Sequence, residues 1–236
     1  MDPFTPAEWE AVALSLRVAF WCTLAVLPPA VLTAWLLARA SFPGKILVDA
    51  LVHLPLVVPP VVTGYLLLIV LGRKGPVGAW LEDWFGIVLA FKWTGAVVAS
   101  AVMAFPLAVR AIRVAIDAVD PAMEQAARSL GAGRIRAFFA VTLPLAAPGV
   151  VAGAVLAFAR SLGEFGATIT FVSNIPGETQ TIPSAIYAYI QTPGGEGAAL
   201  RLTAMAVALS LLALVASEWL ARRVHPVRFR PGRAPG

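Results

Sequence analysis

Five apolar stretches, each about 20 residues or longer, recur along this chain and constrain its fold more than any other feature. An α-helix of about 20 apolar residues crosses the hydrocarbon core of a bilayer, where lipid offers no partners to unpaired backbone groups. The composition agrees, since 59% of the 236 residues are hydrophobic and 13% are charged, against about 45–50% and about 25% in soluble domains. We therefore predict an all-α polytopic membrane protein with about five transmembrane helices, at residues 11–38, 49–71, 95–116, 146–167 and 198–221.

Four of these stretches contain proline. In a membrane, proline usually kinks a helix rather than ending it, because neighbouring groups satisfy the freed backbone. The pattern predicts irregular helices, either arranged around a cavity or kinked for packing alone. The prolines are Pro28, Pro29, Pro55, Pro59, Pro60, Pro106 and Pro148.

Lys and Arg residues concentrate in three segments: the first loop, the region around the end of the third stretch and the loop after it, and the C-terminal end. These segments hold 12 of the 18 basic residues. With five spans all three lie on one side of the membrane, and an excess of basic residues marks the cytoplasmic side. The N-terminus is therefore expected outside and the C-terminus inside, with residues 225–236 as a flexible cytoplasmic tail.

Two shorter apolar segments fall on the opposite side of the membrane. Residues 77–85 include Trp80 and Trp84 and favour a short helix in the headgroup region. Residues 183–190 are too short to cross a bilayer, so we expect five spans rather than six.

The loop between the third and fourth stretches contains a short helix with signals at both ends. Asp120 is a good N-cap, Pro121 suits the first helical position and Gly131 suits the stop. A helix of about ten residues is not stable alone in water, so it should pack against another surface.

The sequence of this helix indicates what that surface is. Met123, Ala127 and Leu130 recur at helical spacing on one face, and Glu124 and Arg128 are predicted to form an i, i+4 ion pair beside it. A short helix with small residues on one face is suited to a groove in another protein. An ordinary interfacial loop helix is the alternative.

The same region resembles the cytoplasmic signature of the binding-protein-dependent ABC importer permeases. That signature is Glu-Ala-Ala, three residues, Gly, nine residues, then Ile, any residue, Leu-Pro. Here it reads Gln125-Ala126-Ala127, three residues, Gly131, nine residues, then Val141-Thr142-Leu143-Pro144. Gln125 and Val141 depart from the pattern, and Glu124, one residue earlier, is the candidate for the missing acidic group.

This resemblance implies a type I ABC importer permease fold, with residues 1–224 as a single transmembrane permease domain. It also implies that a cytoplasmic coupling loop at about 117–145 docks on a separate nucleotide-binding subunit. The coupling residues are then Met123, Glu124, Gln125, Ala126, Ala127, Arg128, Leu130 and Gly131.

Four further segments look like the molybdate-type members of the sulfate and molybdate permeases. The resemblance implies a homodimer that works with two ATP-binding subunits and an extracytoplasmic binding protein in a bacterial or archaeal inner membrane. Its cargo would be molybdate, with tungstate or sulfate as alternatives. The segments are residues 53–60, 158–171, 173–183 and 191–195.

The chain lacks a phosphate-binding loop, because Gly44-Lys45 is followed by Ile46 and has no upstream glycine at the required spacing. ATP-Mg should therefore bind to the partner subunit. Cys22 and His53 have no neighbouring metal ligands in the sequence, so we predict no catalytic, cofactor or metal site in this chain. The net charge of +5 does not indicate nucleic-acid binding, because the basic residues lie mainly between apolar stretches.

Arg160 and Glu164 place two opposite charges, four residues apart, inside the fourth stretch, with Gly163 beside them. Charges within a membrane are costly and are usually paired or in contact with water. The pair is predicted either to border the translocation path or its gate, or to be a purely structural ion pair.

Two other functional classes remain open at this point. An ion-coupled secondary carrier would need acidic residues within the spans, and only Glu164 clearly qualifies. A membrane scaffold without transport activity is also compatible with a capped inner helix.

Overall fold

Every regular element in the part of the chain that the structure describes is helical. The computed structural model describes residues 4–224, except the side chains of residues 217, 218 and 220–224. The tail expected at residues 225–236 lies outside the described residues. In chain order the helices are α1 (Pro6–Arg39), α2 (Lys45–Val57), α3 (Pro60–Leu71), α4 (Pro76–Phe85), α5 (Trp93–Asp117), α6 (Pro121–Ser129), α7 (Arg134–Ala137), a π turn (Phe138–Thr142), α8 (Leu143–Leu145), α9 (Ala147–Leu162), α10 (Gly166–Val172), α11 (Ile182–Ile190) and α12 (Glu196–Val224).

Three helices are long and apolar enough to cross a membrane: α1, α5 and the first 21 residues of α12. Two bent pairs, α2 with α3 and the segment Arg134–Leu145 with α9, raise the number to five if each pair is one span. The all-α membrane class is thus confirmed, with three to five candidate spans. Pro28 and Pro29 lie within α1, and Pro106 within α5, without ending either helix.

The stretch predicted at 49–71 is irregular, as its prolines indicate, and consists of two helices, α2 and α3. The axes of α2 and α3 differ by 112°, and the break lies at Val58 and Pro59. Pro60 disfavours a helical conformation in Pro59, and Pro59 does the same to Val58, so both residues are extended, with ψ of 135°. The second apolar stretch is therefore a broken span or a re-entrant segment.

The fourth stretch is also interrupted. The helix predicted at 146–167 ends at Leu162, and a new helix begins at Gly166. At its other end, α9 turns by 72° from the segment Arg134–Leu145.

The core lies where α1, α5 and α9 pack together. Small residues on α9 permit this approach, because a Cβ at Gly149 would overlap the Cβ of Ala115 on α5. One turn later, a Cβ at Gly153 would lie 3.0 Å from Cγ1 of Ile112. Leu37, Ile112 and Ile116 are fully enclosed at this packing.

The helix α2 contrasts with this core. All its residues are described and none is buried, while α3 buries only Thr63 and Gly64. Large apolar side chains on both helices are exposed, as expected where lipid or another protein subunit supplies the contact. They are Ile46, Leu47, Leu51, Leu54, Leu56, Val57, Val61, Val62, Tyr65, Leu66, Ile69 and Val70.

The bundle has two distinct ends. We call the end where α1 and α5 finish and α6 lies the α6 end, and the opposite end the α4 end. The short helix expected near residues 77–85 is α4, with Trp80 and Trp84 exposed. The segment at 183–190 belongs to α11, whose nine residues span only about 14 Å and are too short to cross a bilayer.

Candidate functional site

The helix α6 is capped as its sequence predicts. The side chain of Asp120 accepts a hydrogen bond from the Ala122 N–H at 2.8 Å, and Pro121 is the first helical residue. The helix ends at Ser129, and Gly131 adopts a φ of +90°, which residues with a Cβ rarely do. The predicted positions of the start and stop residues are therefore confirmed.

One side of α6 is open to the surroundings. None of its residues, all of which are described, is buried. The apolar side chain of Met123 is half exposed, and that of Leu130, just beyond the helix, is 90% exposed. Apolar groups presented in this way are available to a partner surface.

A polar cleft of about 530 Å³ lies between the C-terminal half of α6 and the segment that follows it. Three of the predicted coupling residues, Gln125, Arg128 and Gly131, are among its lining residues. Two arginines make the cleft electropositive, which suits an acidic or hydrogen-bond-accepting partner. The lining residues are Gln125, Arg128, Ser129, Gly131, Ala132, Gly133 and Arg134.

Glu124 does not pair with Arg128 as predicted. Its Oε1 atom accepts hydrogen bonds from Arg39 Nε at 2.8 Å and from Thr142 Oγ1 at 2.7 Å. Successive helical residues are rotated by about 100°, so Glu124 faces the bundle while Gln125 faces the cleft. The sequence placed these adjacent residues on one docking surface, whereas the structure puts them to different uses.

Arg39 is the functional candidate that the sequence did not reveal. Besides Glu124, its Nη2 atom donates to the backbone oxygens of Ile116 at 3.0 Å and Val119 at 2.7 Å. A cation at this position satisfies carbonyls at the C-terminal end of α5 and interacts favourably with the helix dipole. The only sequence signal was an arginine immediately after the first apolar stretch.

The partner of Glu124 on the other side, Thr142, is positioned by the π turn. Pro144 has no N–H to continue the α-helical pattern, and the Leu143 N–H instead donates to the Phe138 oxygen five residues back. Thr142 is fully buried. The rings of Phe138 and Trp35 lie 5.0 Å apart and add an apolar contact between this turn and α1.

Arg160 and Glu164 form the ion pair that their spacing predicts, but not along one helix. Glu164 lies after the end of α9, and its Oε1 atom accepts the Ala167 N–H at 2.8 Å, at the start of α10. Its Oε2 atom lies 2.7 Å from Arg160 Nη1 at angles outside the range for a hydrogen bond, so the contact is an ion pair. Glu164 is 2% exposed, and the Arg160 side chain is 26% exposed.

A second charged cluster lies between α2 and α5. Arg113 Nη1 is 3.0 Å from Asp49 Oδ1, and Arg113 Nε is 3.8 Å from Asp117 Oδ2. His53 Nδ1 lies 2.8 Å from the Asp49 backbone oxygen. With Arg110, these groups border a cavity of about 370 Å³.

At the α4 end, an ion pair joins the first and last long helices. Glu8, whose side chain is fully buried, lies 2.8 Å from Arg201 Nη2 and 3.0 Å from Arg201 Nε. Arg201 is a charge inside the fifth predicted stretch, and this pairing explains how it is tolerated there. The sequence offered no signal for a contact between residues so far apart in the chain.

Comparisons with known proteins agree with this architecture. Residues 30–226 match the family model described as "Binding-protein-dependent transport system inner membrane component". The chain is 63% identical over 218 residues to the molybdenum transport system permease protein ModB of Escherichia coli K12, covering 92% of this chain and 95% of the relative. The ModB protein of Haemophilus influenzae is 58% identical over the same shares.

A solved structure has the same fold at low sequence identity. It is a bacterial ABC transporter involved in the import of the acidic polysaccharide alginate, with a TM-score of 0.73 and 19% identity. The alignment covers 94% of this chain and 82% of the alginate transporter chain. This likeness establishes the fold alone.

Proposed function

This chain belongs to the family of binding-protein-dependent transport system inner membrane components, and from that premise we propose that it is the permease subunit of an ATP-driven molybdate importer. As a member of this family it is a multi-pass inner-membrane protein. The observation that carries the choice of cargo is the 63% identity, over nearly the whole chain, to a molybdenum transport permease. Tungstate and sulfate are the alternative cargoes, because both are tetrahedral dianions.

The arrangement of α6 supports a role in coupling to an ATP-hydrolysing partner. Met123 and Leu130 are exposed, and Gln125 and Arg128 line a basic cleft, so this region presents both apolar and charged contacts. We assign contact with the partner to this surface, which includes Gln125, Ala126, Ala127, Arg128 and Gly131. In this proposal ATP-Mg binds to the partner, and this chain binds no nucleotide or metal.

The assembly that we propose is a homodimer with two ATP-binding subunits and an extracytoplasmic binding protein. The unburied surface of α2 and α3 supports the dimer, because two copies facing one another there would remove many apolar side chains from the surroundings. The distribution of basic residues supports an orientation with α6 and the C-terminus in the cytoplasm and the N-terminus outside.

The mechanism follows from how α6 is attached. When the two ATPase subunits close on ATP, the attached α6 helices are drawn together, and the helices that contact α6 move with them. Hydrolysis separates the subunits and reverses this movement. In this proposal, closure of the ATPase subunits opens the translocation path to the outside, and the anion enters the path only then. ATP turnover therefore drives its passage in one direction.

We place the path or its gate near Arg160, Gly163 and Glu164. Arg160 is the more exposed partner and can attract an anion, while the buried Glu164 holds the guanidinium in position. The helix is broken at Gly163, so α9 and α10 can change their relative angle without breaking helical hydrogen bonds. If the pair is purely structural, substitutions will alter stability and transport together.

The decisive test is reconstitution in liposomes of this chain with its ATPase subunit and binding protein. We expect radiolabelled molybdate uptake that requires ATP and all three proteins, with competition by tungstate and sulfate defining the cargo. Uptake by this chain alone, driven by a sodium or proton gradient, would instead support a secondary carrier. Complex formation with no transport of any oxyanion and no effect on ATP hydrolysis would support a scaffold.

A further inference from the structure

We propose that Glu124 transmits the displacement of α6 to the membrane-spanning helices, as the centre of a clamp formed with Arg39 and Thr142. This proposal rests on the function proposed above, in which α6 contacts an ATP-hydrolysing subunit. Glu124 then has a positioning role, separate from the surface of α6 that contacts the partner. Its carboxylate joins α6 to the bundle.

Among the hydrogen bonds and ion pairs of the described residues, Glu124 supplies every side-chain connection from α6 to a neighbouring element. Both bonds end on a single oxygen, Oε1, at 2.8 Å from Arg39 Nε and 2.7 Å from Thr142 Oγ1. Hydrogen bonds to a charged group at these distances are strong and hold a defined geometry.

Through Arg39, the clamp reaches two long helices. Arg39 is the last residue of α1, and its Nη2 atom holds the backbone oxygens of Ile116 and Val119 at 3.0 and 2.7 Å. The guanidinium is planar and its donors are fixed relative to one another, so a pull on Glu124 is passed to both helices without a change of rotamer. A lysine has no such fork and cannot make the three contacts in the same geometry.

Through Thr142, the clamp reaches α9. Thr142 is the last residue of the π turn, and the short α8 connects this turn to the start of α9. Single π turns inside helices occur frequently at functional sites. Here the π turn places the Thr142 hydroxyl against Glu124. We attribute the π turn to Pro144, which belongs to the signature segment.

Burial makes the clamp act as a unit. The side chains of Arg39 and Glu124 are 15% and 21% exposed. Charges that are mostly removed from water are held together more firmly than exposed pairs, since separation leaves each one without compensation. Displacement of α6 should therefore carry α1, α5 and the start of α9 along, instead of breaking the ion pair.

The clamp also explains why the acidic residue stands one position before Gln125. A residue at position 125 faces the cleft, whereas position 124 faces the bundle. An acidic group at 125 could contact a partner but could not reach Arg39. The acidic residue at position 124 instead of 125 thus fits a carboxylate that contacts Arg39 and Thr142 of the same chain.

The test compares the coupling ratio, molybdate taken up per ATP hydrolysed, in liposomes that contain the full complex. We expect E124A and R39K to lower this ratio about tenfold, and T142V about threefold, while ATP hydrolysis measured without the binding protein stays within about twofold of the parent. E124Q keeps an oxygen acceptor without the charge, and its ratio should lie between those of E124A and the parent. A merely structural defect would lower complex yield and both rates together, leaving the ratio unchanged.

Two matched controls lie away from α6. Arg73 and Glu82 form an exposed pair at 2.8 Å, and R73Q should leave the coupling ratio unchanged. Thr203, on α12, donates to the backbone oxygen of Ala199, so T203V matches T142V in chemistry but not in position. An unchanged ratio in assembled E124A and R39K complexes would overturn the clamp. If E124A fails to assemble, the coupling ratios of R39K and T142V serve as the test, and unchanged ratios in both would overturn the clamp.

The two proposals fail in different ways. If the parent complex moves molybdate but the variants keep its coupling ratio, only the clamp is wrong. If the parent complex hydrolyses ATP and moves no oxyanion, the cargo is wrong. The clamp is then judged by stimulation of ATP hydrolysis by the binding protein, which E124A and R39K should lose and R73Q should retain.

Discussion

The carboxylate of Glu164 joins two helices, because Oε1 accepts the Ala167 N–H at 2.8 Å while Oε2 lies 2.7 Å from the Arg160 guanidinium. One buried side chain thus links the end of α9 to the start of α10. The two interactions involve different oxygens, so substitutions can separate them.

Replacing both members of this pair should distinguish a path residue from a structural one. Glu164→Ala leaves Arg160 without its counter-charge in the bundle and should lower both the melting temperature and molybdate uptake. The double variant Arg160→Gln with Glu164→Gln removes both charges but keeps an oxygen for the Ala167 N–H. We expect it to regain much of the thermal stability, measured by melting in detergent, while uptake stays low. Recovery of uptake together with stability would assign the pair a structural role alone.

Gly149→Ala should push α9 away from α5, because the new Cβ overlaps that of Ala115. Overpacking of this kind costs about 2 kcal/mol, which lowers the melting temperature of a chain of this size by about 6 °C. Adding Ala115→Gly should restore most of the loss. Gly197→Ala is the matched control, since its Cβ would meet only the flexible end of Arg201 at 3.7 Å.

Arg201→Met should destabilise the bundle by about 3 kcal/mol, because it leaves the buried carboxylate of Glu8 without its counter-charge, although Oε2 still accepts the Thr5 N–H. The measurement is the melting temperature of the purified chain in detergent. Arg73→Gln breaks an ion pair of the same length, but this pair is exposed, so its effect should stay within about 0.5 kcal/mol. Equal effects of the two substitutions would contradict the role assigned to burial.

Gly131→Pro and Ala127→Trp should leave membrane insertion intact and abolish the coupling of ATP hydrolysis to uptake. Proline cannot adopt the φ of +90° at position 131 and cannot donate the hydrogen bond to the Arg128 oxygen. The indole at position 127 would obstruct contact of a partner with α6. Protease protection reports insertion, and uptake in liposomes reports coupling. Normal uptake in either variant would remove α6 from the coupling pathway.

Pro144→Ala should convert the π turn toward an ordinary helix, because the new N–H can bond four residues back. The Thr142 hydroxyl would then turn away from Glu124. We expect a fall in uptake per ATP similar to that of T142V, without loss of complex assembly. A coupling ratio equal to that of the parent would show that the π turn is not needed to position Thr142.

Local features of this fold could be predicted from the sequence, and long-range ones could not. Asp120, Pro121 and Gly131 determine the ends of α6 through their own backbone and side-chain chemistry. The pairing of Glu124 depends instead on Arg39, 85 residues earlier, and helical spacing alone favoured Arg128. Proline at positions 59 and 60 indicated an irregularity, but neither the 112° bend nor the packing of α3 against α10 could be predicted from it.

The candidate site divides in the same way. The signature segment gave the location of α6, on which we propose the docking surface, since its glycine and alanine spacing is local. The different contacts of Glu124, which faces the bundle, and Gln125, which lines the cleft, could not be predicted. A sequence does not specify which side of a short helix faces the bundle. Arg160 and Glu164 were recognised as a pair, but the helix break between them was not. Glycine, the residue type at position 163, is also common inside packed membrane helices, so it did not indicate a break.

The ion pair between Glu8 and Arg201 also bears on how the protein is made. The two residues are separated by 193 positions, so α1 enters the membrane long before the ribosome has synthesised its partner in α12. During that interval Glu8 must stay near water or near the translocation machinery. Closure of the bundle at the α4 end is therefore a late event in biogenesis. In a nascent chain stalled before position 201, Glu8 would still lack its partner on α12.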